Sequence, residues 1–155
     1  MATTVTSSTL RVWIKESIKL NGEQHGGETI LSIPSINEIS KRIVTVTTTE
    51  TTMLTFSTAA GQGKYIAADV RYLRITNLDA DNHIMLTFKD EDNTEFRIKV
   101  DAGHSFIYPG DNSGGFVDTM KASGAALASG LADLYDVTAD ADGESCDVEI
   151  FIASA

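Results

Sequence analysis

Acidic residues near the C-terminus match part of the calcium-loop pattern D-x-[DN]-x-[DN]-G-x5-E, in which clustered carboxylates bind a hard cation. Positions three, five, six and twelve of that pattern are filled by Asp140, Asp142, Gly143 and Glu149. Position one is Thr138 instead of Asp, and position eight is Ser145, where such loops place an apolar residue. The flanking residues alternate as strands do, whereas a calcium loop of this kind joins two helices. We therefore interpret the segment as a β-hairpin turn.

A looser cation site at the same turn is a separate hypothesis. Four carboxylates crowd one turn there, those of Asp140, Asp142, Glu144 and Asp147. Because hard cations require only clustered oxygen ligands, these four residues are the metal candidates of the chain. A solvated hairpin turn has the same composition, since Asp and Asn side chains bond to their own backbone.

Residues that perform enzyme chemistry lack the partners that such chemistry needs. The histidines, at positions 25, 83 and 104, have no second ligand at metal-binding spacing. Ser105 follows His104, but the stretch lacks the second glycine of a nucleophile elbow. The GQGK stretch at Gly61–Lys64 resembles part of a phosphate loop, yet Tyr65 stands where Ser or Thr would hold magnesium. The sequence therefore predicts a protein with no enzymatic activity, no catalytic residue and no cofactor.

The chain is acidic, with 12 basic and 22 acidic residues and a formal net charge of -10. This charge argues against nucleic-acid binding, which requires Lys and Arg to displace counterions from phosphates. The basic residues of the central strands are expected to pair with carboxylates; they are Arg71, Arg74, Lys89, Arg97 and Lys99. No apolar run approaches the roughly 20 residues that span a bilayer, and no signal-like segment follows Met1. Together with a single cysteine, Cys146, these features predict a cytoplasmic site of synthesis and no membrane partner.

Apolar and polar residues alternate three times between Val70 and Tyr108, with Asp- and Asn-rich turns between the runs. Such alternation predicts half-buried antiparallel strands, since successive side chains point to opposite faces of a sheet. Asn21–Gly22 and Asp142–Gly143 mark two further hairpin turns, and the strand before the second places Tyr135 in the buried layer. The predicted core comprises Val12, Ile14, Ile43, Leu73, Ile75, Leu86, Phe88, Phe96, Ile98, Phe106, Val137, Val148 and Ile150.

About nine to eleven such strands predict a single all-β domain over residues 1–155, an antiparallel β-sandwich of jelly-roll type. The segment near residues 119–130 has helical composition, but its two glycines limit it to at most one short helix. A polar N-terminal arm of about residues 1–9 precedes the first strand.

This polar N-terminus and a few aromatic side chains form the predicted contact surface. Polar termini are poorly ordered unless something holds them, so we expect the N-terminus to lie across an adjacent subunit. Aromatic residues at a sheet edge cover either the margin of a core or an interface. The predicted interface residues are Ala2, Thr3, Thr4, Val5, Trp13, Tyr65, Tyr108 and Phe116.

Four segments that together span nearly the whole chain carry a family resemblance. They are ESIKLNG at Glu16–Gly22, YLRITNLDADN at Tyr72–Asn82, AGHSFIY at Ala102–Tyr108 and DVEIFIA at Asp147–Ala153. In their order and spacing the chain resembles small virion structural proteins of tailed bacteriophages, including cyanophages. The resemblance implies a β-rich, non-enzymatic part of the particle, first of all a capsid decoration or cement protein that binds and stabilises the head shell.

The resemblance also implies where the protein works and with what. The expected partners are the major capsid protein or other virion proteins, with the chain itself a homo-oligomer for which a trimer is favoured. The expected location is the virion, after synthesis in the host cytoplasm. Two alternatives stay open. One is a neck or tail component, and the other is a carbohydrate- or receptor-binding β-sandwich whose exposed aromatics stack on sugar rings.

Overall fold

A computed structural model describes residues 4–108, 114–122, 124 and 130–155. Within these residues the protein is all-β, with thirteen strands and no helix, as the alternating pattern predicts. Part of the segment expected to hold a short helix is described and is not helical; the rest of that segment, including residues 125–128, lies outside the described residues.

Nine of the described strands form two sheets that face each other. The first has the order β10-β9-β12-β6-β7 and is antiparallel except for the β6–β7 pair, and the second has the order β11-β8-β13-β5. Their apolar faces enclose one core and so make a β-sandwich, whereas the jelly-roll connectivity stays a prediction. The strands are β1 (Ser8–Lys15), β2 (Lys19–Leu20), β3 (Glu23–Gln24), β4 (Glu28–Ile36), β5 (Glu38–Val46), β6 (Thr51–Ser57), β7 (Tyr65–Ile66), β8 (Val70–Asn77), β9 (Ile84–Asp90), β10 (Glu95–Val100), β11 (Ser105–Tyr108), β12 (Leu134–Ala141) and β13 (Cys146–Ser154).

The core between the sheets is built from the inward residues of the central strands. Leu73 and Ile75 on β8, Leu86 on β9 and Ile150 on β13 are fully buried. Each side chain of this kind contributes about 1.5–3 kcal/mol when it leaves water completely. The alternating pattern therefore predicted these positions correctly, and it was also right about Phe88, Val137 and Val148.

Four predicted core residues are exposed instead. Phe96 and Ile98 lie on the edge strand β10 and are 46% and 37% exposed, because an edge strand has a neighbouring strand on one side only. Ile43 is exposed because it lies on the outer face of β5, opposite Glu149. Ile14 is exposed because β1 belongs to neither main sheet. The remaining members of the predicted core are half-buried; they are Val12 and Phe106.

Tyr135 is also exposed, although the hairpin pattern placed it in the buried layer. The pairing of β12 with β9 shifts register between Leu134 and Asp136, which marks a β-bulge. One extra residue in the strand reverses the alternation before Val137, so Leu134 takes the inward position that the pattern gave to Tyr135.

A two-stranded ribbon of β1 and β4 stands apart from both sheets. Its tip is the β2–β3 hairpin, whose turn residues Asn21 and Gly22 both have positive φ, as the Asn-Gly signal predicts. Every residue from 13 to 30 except Gly26 is exposed, so this part projects from the sandwich. We call residues 8–36 the ribbon arm. It begins within the polar N-terminal arm predicted at about residues 1–9 and reaches well beyond it.

Candidate functional site

The ribbon arm rests on the sandwich through one face at its base. Tyr72 and Ala153, on the outer surface of the four-stranded sheet, form a small buried cluster with this inner face. Cross-strand pairing of β1 with β4 puts the contributing residues on the same side of the ribbon; they are Leu10, Val12, Leu31 and Ile33. Because the inner face covers its own sandwich, the opposite face points away from it.

The outward face of the ribbon arm is centred on a cross-strand apolar pair. Trp13 lies opposite Ile30, and the two side chains are 57% and 53% exposed. One step towards the tip, Lys15 lies opposite Glu28 on the same face, and one step towards the base lies Arg11. An exposed apolar centre with charged residues on both sides is the composition of a small contact surface.

The tip of the ribbon arm is held by a close backbone approach. The amide of Glu16 donates to the Gly27 carbonyl at 2.9 Å, and the amide of His25 donates to the Ile18 carbonyl at 2.9 Å. A Cβ atom added at Gly26 would lie 1.9 Å from the carbonyl oxygen of Glu16. Only glycine fits there, so this conformation of the tip requires a glycine at position 26.

Exposed apolar residues continue from the middle of the ribbon arm to its tip, and the charges of the arm balance. Residues 8–36 contain three basic and three acidic side chains, in a chain whose formal net charge is -10. A neutral surface with several exposed large apolar residues is typical of a site that a partner covers. These residues are Trp13, Ile14, Ile18, Leu20 and Ile30.

Of the interface residues predicted from the sequence, Trp13 lies at the centre of the outward face. Thr4 and Val5 are exposed just before β1. Ala2 and Thr3 lie outside the described residues.

The other three predicted interface residues lie in or beside the main core. Tyr65 is half-buried, and its hydroxyl donates to Ser40 Oγ at 3.0 Å. Tyr108 is half-buried, with its ring centroid 4.6 Å from that of Phe116. Phe116 itself is only 1% exposed. Because its ring fills the core, Phe116 presents no surface to a partner, and the sequence pattern placed it wrongly.

The metal candidates do not converge on one point. The carboxylate of Asp140 contacts Arg97 at 3.1 Å, and that of Asp147 accepts a hydrogen bond from Thr45 at 2.8 Å. Across the part of the chain that the structure describes, no three His, Cys, Asp or Glu residues are grouped to hold a metal ion. All four candidates lie within that part; they are Asp140, Asp142, Glu144 and Asp147.

A surface cavity of about 220 Å³ lies beside the bulge of β12. Its lining includes Tyr135, Glu91 and Asp133. The amide of Glu91 donates to the Asp133 carbonyl at 3.1 Å, and Asp133 Oδ1 accepts from the Asp118 amide at 2.9 Å. An exposed aromatic ring beside carboxylates can stack on and hydrogen-bond a polar ring such as a sugar. No feature of the alternating pattern could have indicated this cavity, because the pattern contains no sign of the bulge.

The outer face of the four-stranded sheet carries a compact ion-pair group. Glu149 contacts Arg74 Nη2 at 2.6 Å and Lys41 Nζ at 3.1 Å. Hydrogen bonds from Arg74 and then Lys41 hold the pKa of Glu149 below its ordinary value of 4.5. This group joins β5, β8 and β13 by their side chains and is structural in character.

No family model, no curated protein and no solved structure matches this chain. Among the described residues there is no helix long and apolar enough to cross a membrane.

Proposed function

We propose that the chain is a non-enzymatic structural component of a bacteriophage particle, specifically a capsid decoration or cement protein that contacts its neighbours through the ribbon arm. The observation that carries this proposal is the exposed apolar surface of the ribbon arm, presented on a well-packed sandwich. The resemblance of four segments to virion structural proteins is the reason for proposing that the chain is part of a bacteriophage particle. The proposed partners of the chain are the major capsid protein or other virion proteins. If the chain is a neck or tail component instead, it would contact its neighbours through the same ribbon arm.

The energetics of the ribbon arm favour an assembly role. A two-stranded hairpin is marginally stable in water, and only the base of this one is packed on the sandwich. A partner that covers the exposed apolar surface removes it from water, so binding would stabilise the ribbon arm as well as the contact. A partner therefore supplies the second layer that Trp13 and Leu20 lack in the isolated chain.

The copy number of the protein in purified virions tests its place in the particle. Quantitative mass spectrometry relative to the major capsid protein should give a ratio near one, or one copy per capsid trimer. A ratio of a few per cent would favour the neck or tail instead. Absence from virions would overturn the proposal.

Binding to isolated head shells tests the role of the ribbon arm. We expect the wild-type chain to bind shells saturably, and Leu20→Ser at the tip to weaken binding about tenfold or more. Ile39→Ser is the matched control, because Ile39 is at least as exposed but lies on β5 of the sandwich. Equal loss of binding in both variants would show that the tip has no special role.

The cavity beside Tyr135 supports a second candidate function, the carbohydrate-binding module. In that case an exposed aromatic ring and nearby carboxylates would bind a sugar. Saturable binding on a glycan array, lost on Tyr135→Ala and retained in Trp13→Thr, would favour this function over the structural one.

A further inference from the structure

We propose that the outward face of the ribbon arm binds the same face of a second copy of this chain, so that two ribbon arms stack about a two-fold axis. This inference deepens the proposed function, on which its biological meaning rests, by naming one partner of the ribbon arm. The tip, with Ile18 and Leu20, remains free in this arrangement to contact other proteins of the particle.

The packing of the ribbon arm on its own sandwich leaves room for this contact. The inner face, including Leu10 and Ile33, is covered by the outer surface of the four-stranded sheet. The outward face therefore points away from the sandwich, and a second ribbon arm stacked on it carries its own sandwich on the far side. Stacked sheets lie about 10 Å apart, a distance that Trp13 and Ile30 can fill.

The outward face is complementary to itself when the two-fold axis runs along the ribbon arm. Such an axis exchanges β1 with β4 across the contact, so Trp13 of one copy packs on Ile30 of the second copy. The same operation brings Lys15 of one copy to Glu28 of the second copy, because the two residues are opposite each other in the ribbon. A surface that matches its own two-fold image is the requirement for an isologous dimer.

The size of the outward face suits a weak but specific dimer. Eight residues of strand at about 3.4 Å each make the face about 27 Å long, and two strands make it about 10 Å wide. Two such faces in contact cover about 540 Å² in total before the relief of the side chains is counted, which is the size of a weak, transient contact. We therefore expect dissociation in the micromolar range or weaker.

Charge favours the ribbon arm over the sandwich as the place where copies meet. Since residues 8–36 are neutral, the net charge of -10 belongs to the rest of the chain. Two sandwiches in direct contact would repel each other, whereas two neutral ribbon arms do not. The contact is two-fold, so it differs from the trimer that the family resemblance favoured.

Sedimentation of the purified full chain tests the dimer. Over about 1 μM to 1 mM protein, the average mass should rise from 16.6 kDa towards twice that value. Trp13→Thr should raise the dissociation constant at least about tenfold, since a large buried aromatic dominates such contacts. Tyr135→Thr, which removes an exposed aromatic from the sandwich, should behave as the wild type.

Three results would overturn the inference: a wild-type chain that stays monomeric over this range, a mass that approaches three copies, or Trp13→Thr associating as well as the wild type. Abundant protein in virions together with a monomer in solution would remove this inference and leave the proposed function standing. If the protein forms dimers in solution but is absent from virions, the proposed function is removed and this inference is left standing.

A charge exchange tests the geometry. Lys15→Glu alone and Glu28→Lys alone place like charges across the contact, so each variant should dimerise about three- to tenfold more weakly. An equimolar mixture of the two variants restores both opposite-charge pairs and should regain dimers. Recovery in the mixture also shows that neither variant has lost its ribbon arm. A mixture that associates no better than its components would overturn this arrangement.

Discussion

The sandwich and the ribbon arm use the same kind of strand but cover it differently. Ile150 on β13 and Trp13 on β1 both lie in alternating segments, yet Ile150 is 1% exposed and Trp13 is 57% exposed. The difference arises because β13 has a second sheet over its inner face, whereas the distal part of β1 has only its partner β4. Alternation therefore defines two faces of a strand, and a second layer decides which of them is buried.

A similar difference in exposure is found within the sandwich, between an edge strand and the strand next to it. Ile98 on β10 pairs directly with Leu86 on β9, and both belong to the inward pattern. Leu86 is fully buried, while Ile98 is more than a third exposed. Position within the sheet, rather than residue type, separates these two neighbours.

The largest expected effect is the loss of stability on truncation of Leu86, which should exceed the loss on truncation of Ile98. Leu86→Ala should lower the free energy of unfolding by about 2–5 kcal/mol, because it removes buried contacts and leaves a cavity. Ile98→Ala should lower it by about 1 kcal/mol or less, since much of that side chain is already in water. Urea denaturation of both variants measures the difference, and equal losses would contradict the exposure of β10.

The next largest expected effect is the difference in stability between alanine substitutions at two glycines, Gly115 in the sandwich and Gly26 in the ribbon arm. Gly115 has a φ of 58°, and a Cβ there would lie 2.3 Å from the Ala67 carbonyl oxygen. Gly115→Ala should therefore lower the free energy of unfolding by at least about 1–3 kcal/mol. Gly26→Ala should leave the unfolding of the sandwich almost unchanged, since its clash is confined to the tip of the ribbon arm.

Hydrogen exchange locates the effect of Gly26→Ala. We expect faster exchange of the Glu16 and His25 amides, whose hydrogen bonds hold the tip, with no change in β13. Gly27→Ala is the control, because a Cβ at that position meets nothing within 4 Å. A large fall in the melting temperature of Gly26→Ala would mean that the ribbon arm and the sandwich unfold as one unit.

A smaller effect concerns the acid stability of the sandwich. Because the pKa of Glu149 is lowered on folding, its ion pairs stabilise the protein fully above the unfolded value of about 4.5 and are lost as the pH falls through the folded value. Glu149→Gln should therefore be less stable than the wild type at neutral pH, with the difference shrinking below about pH 4. Melting temperatures across that range measure it, and a constant difference would point to lost packing instead.

The smallest expected effect is that of calcium. With Asp140 and Asp147 each bonded to other side chains, millimolar calcium added after chelation should leave the melting temperature unchanged. A rise of several degrees would restore the metal site at this turn as a hypothesis.

Local signals in the sequence were reliable where the chain itself carries the cause. Asn21–Gly22 tolerates positive φ, so the hairpin at the tip could be predicted from two residues. The alternation around Leu73 and Leu86 likewise identified buried positions in central strands. Prediction failed for Phe116, Ile43 and Tyr135, whose environments depend on a loop entering the core, on which face of β5 points outward and on a bulge.

The sequence by itself determined an all-β chain with hairpins at defined turns, because strand alternation and turn conformation are local properties of the backbone. Only the tertiary structure decided that β1 leaves the sandwich, pairs with β4 and presents Trp13 to solvent. Residues far away in the chain decide which face of a strand is covered. A local sequence pattern therefore cannot predict the covered face. The candidate interface of this protein is for that reason a property of the fold and not of any one segment.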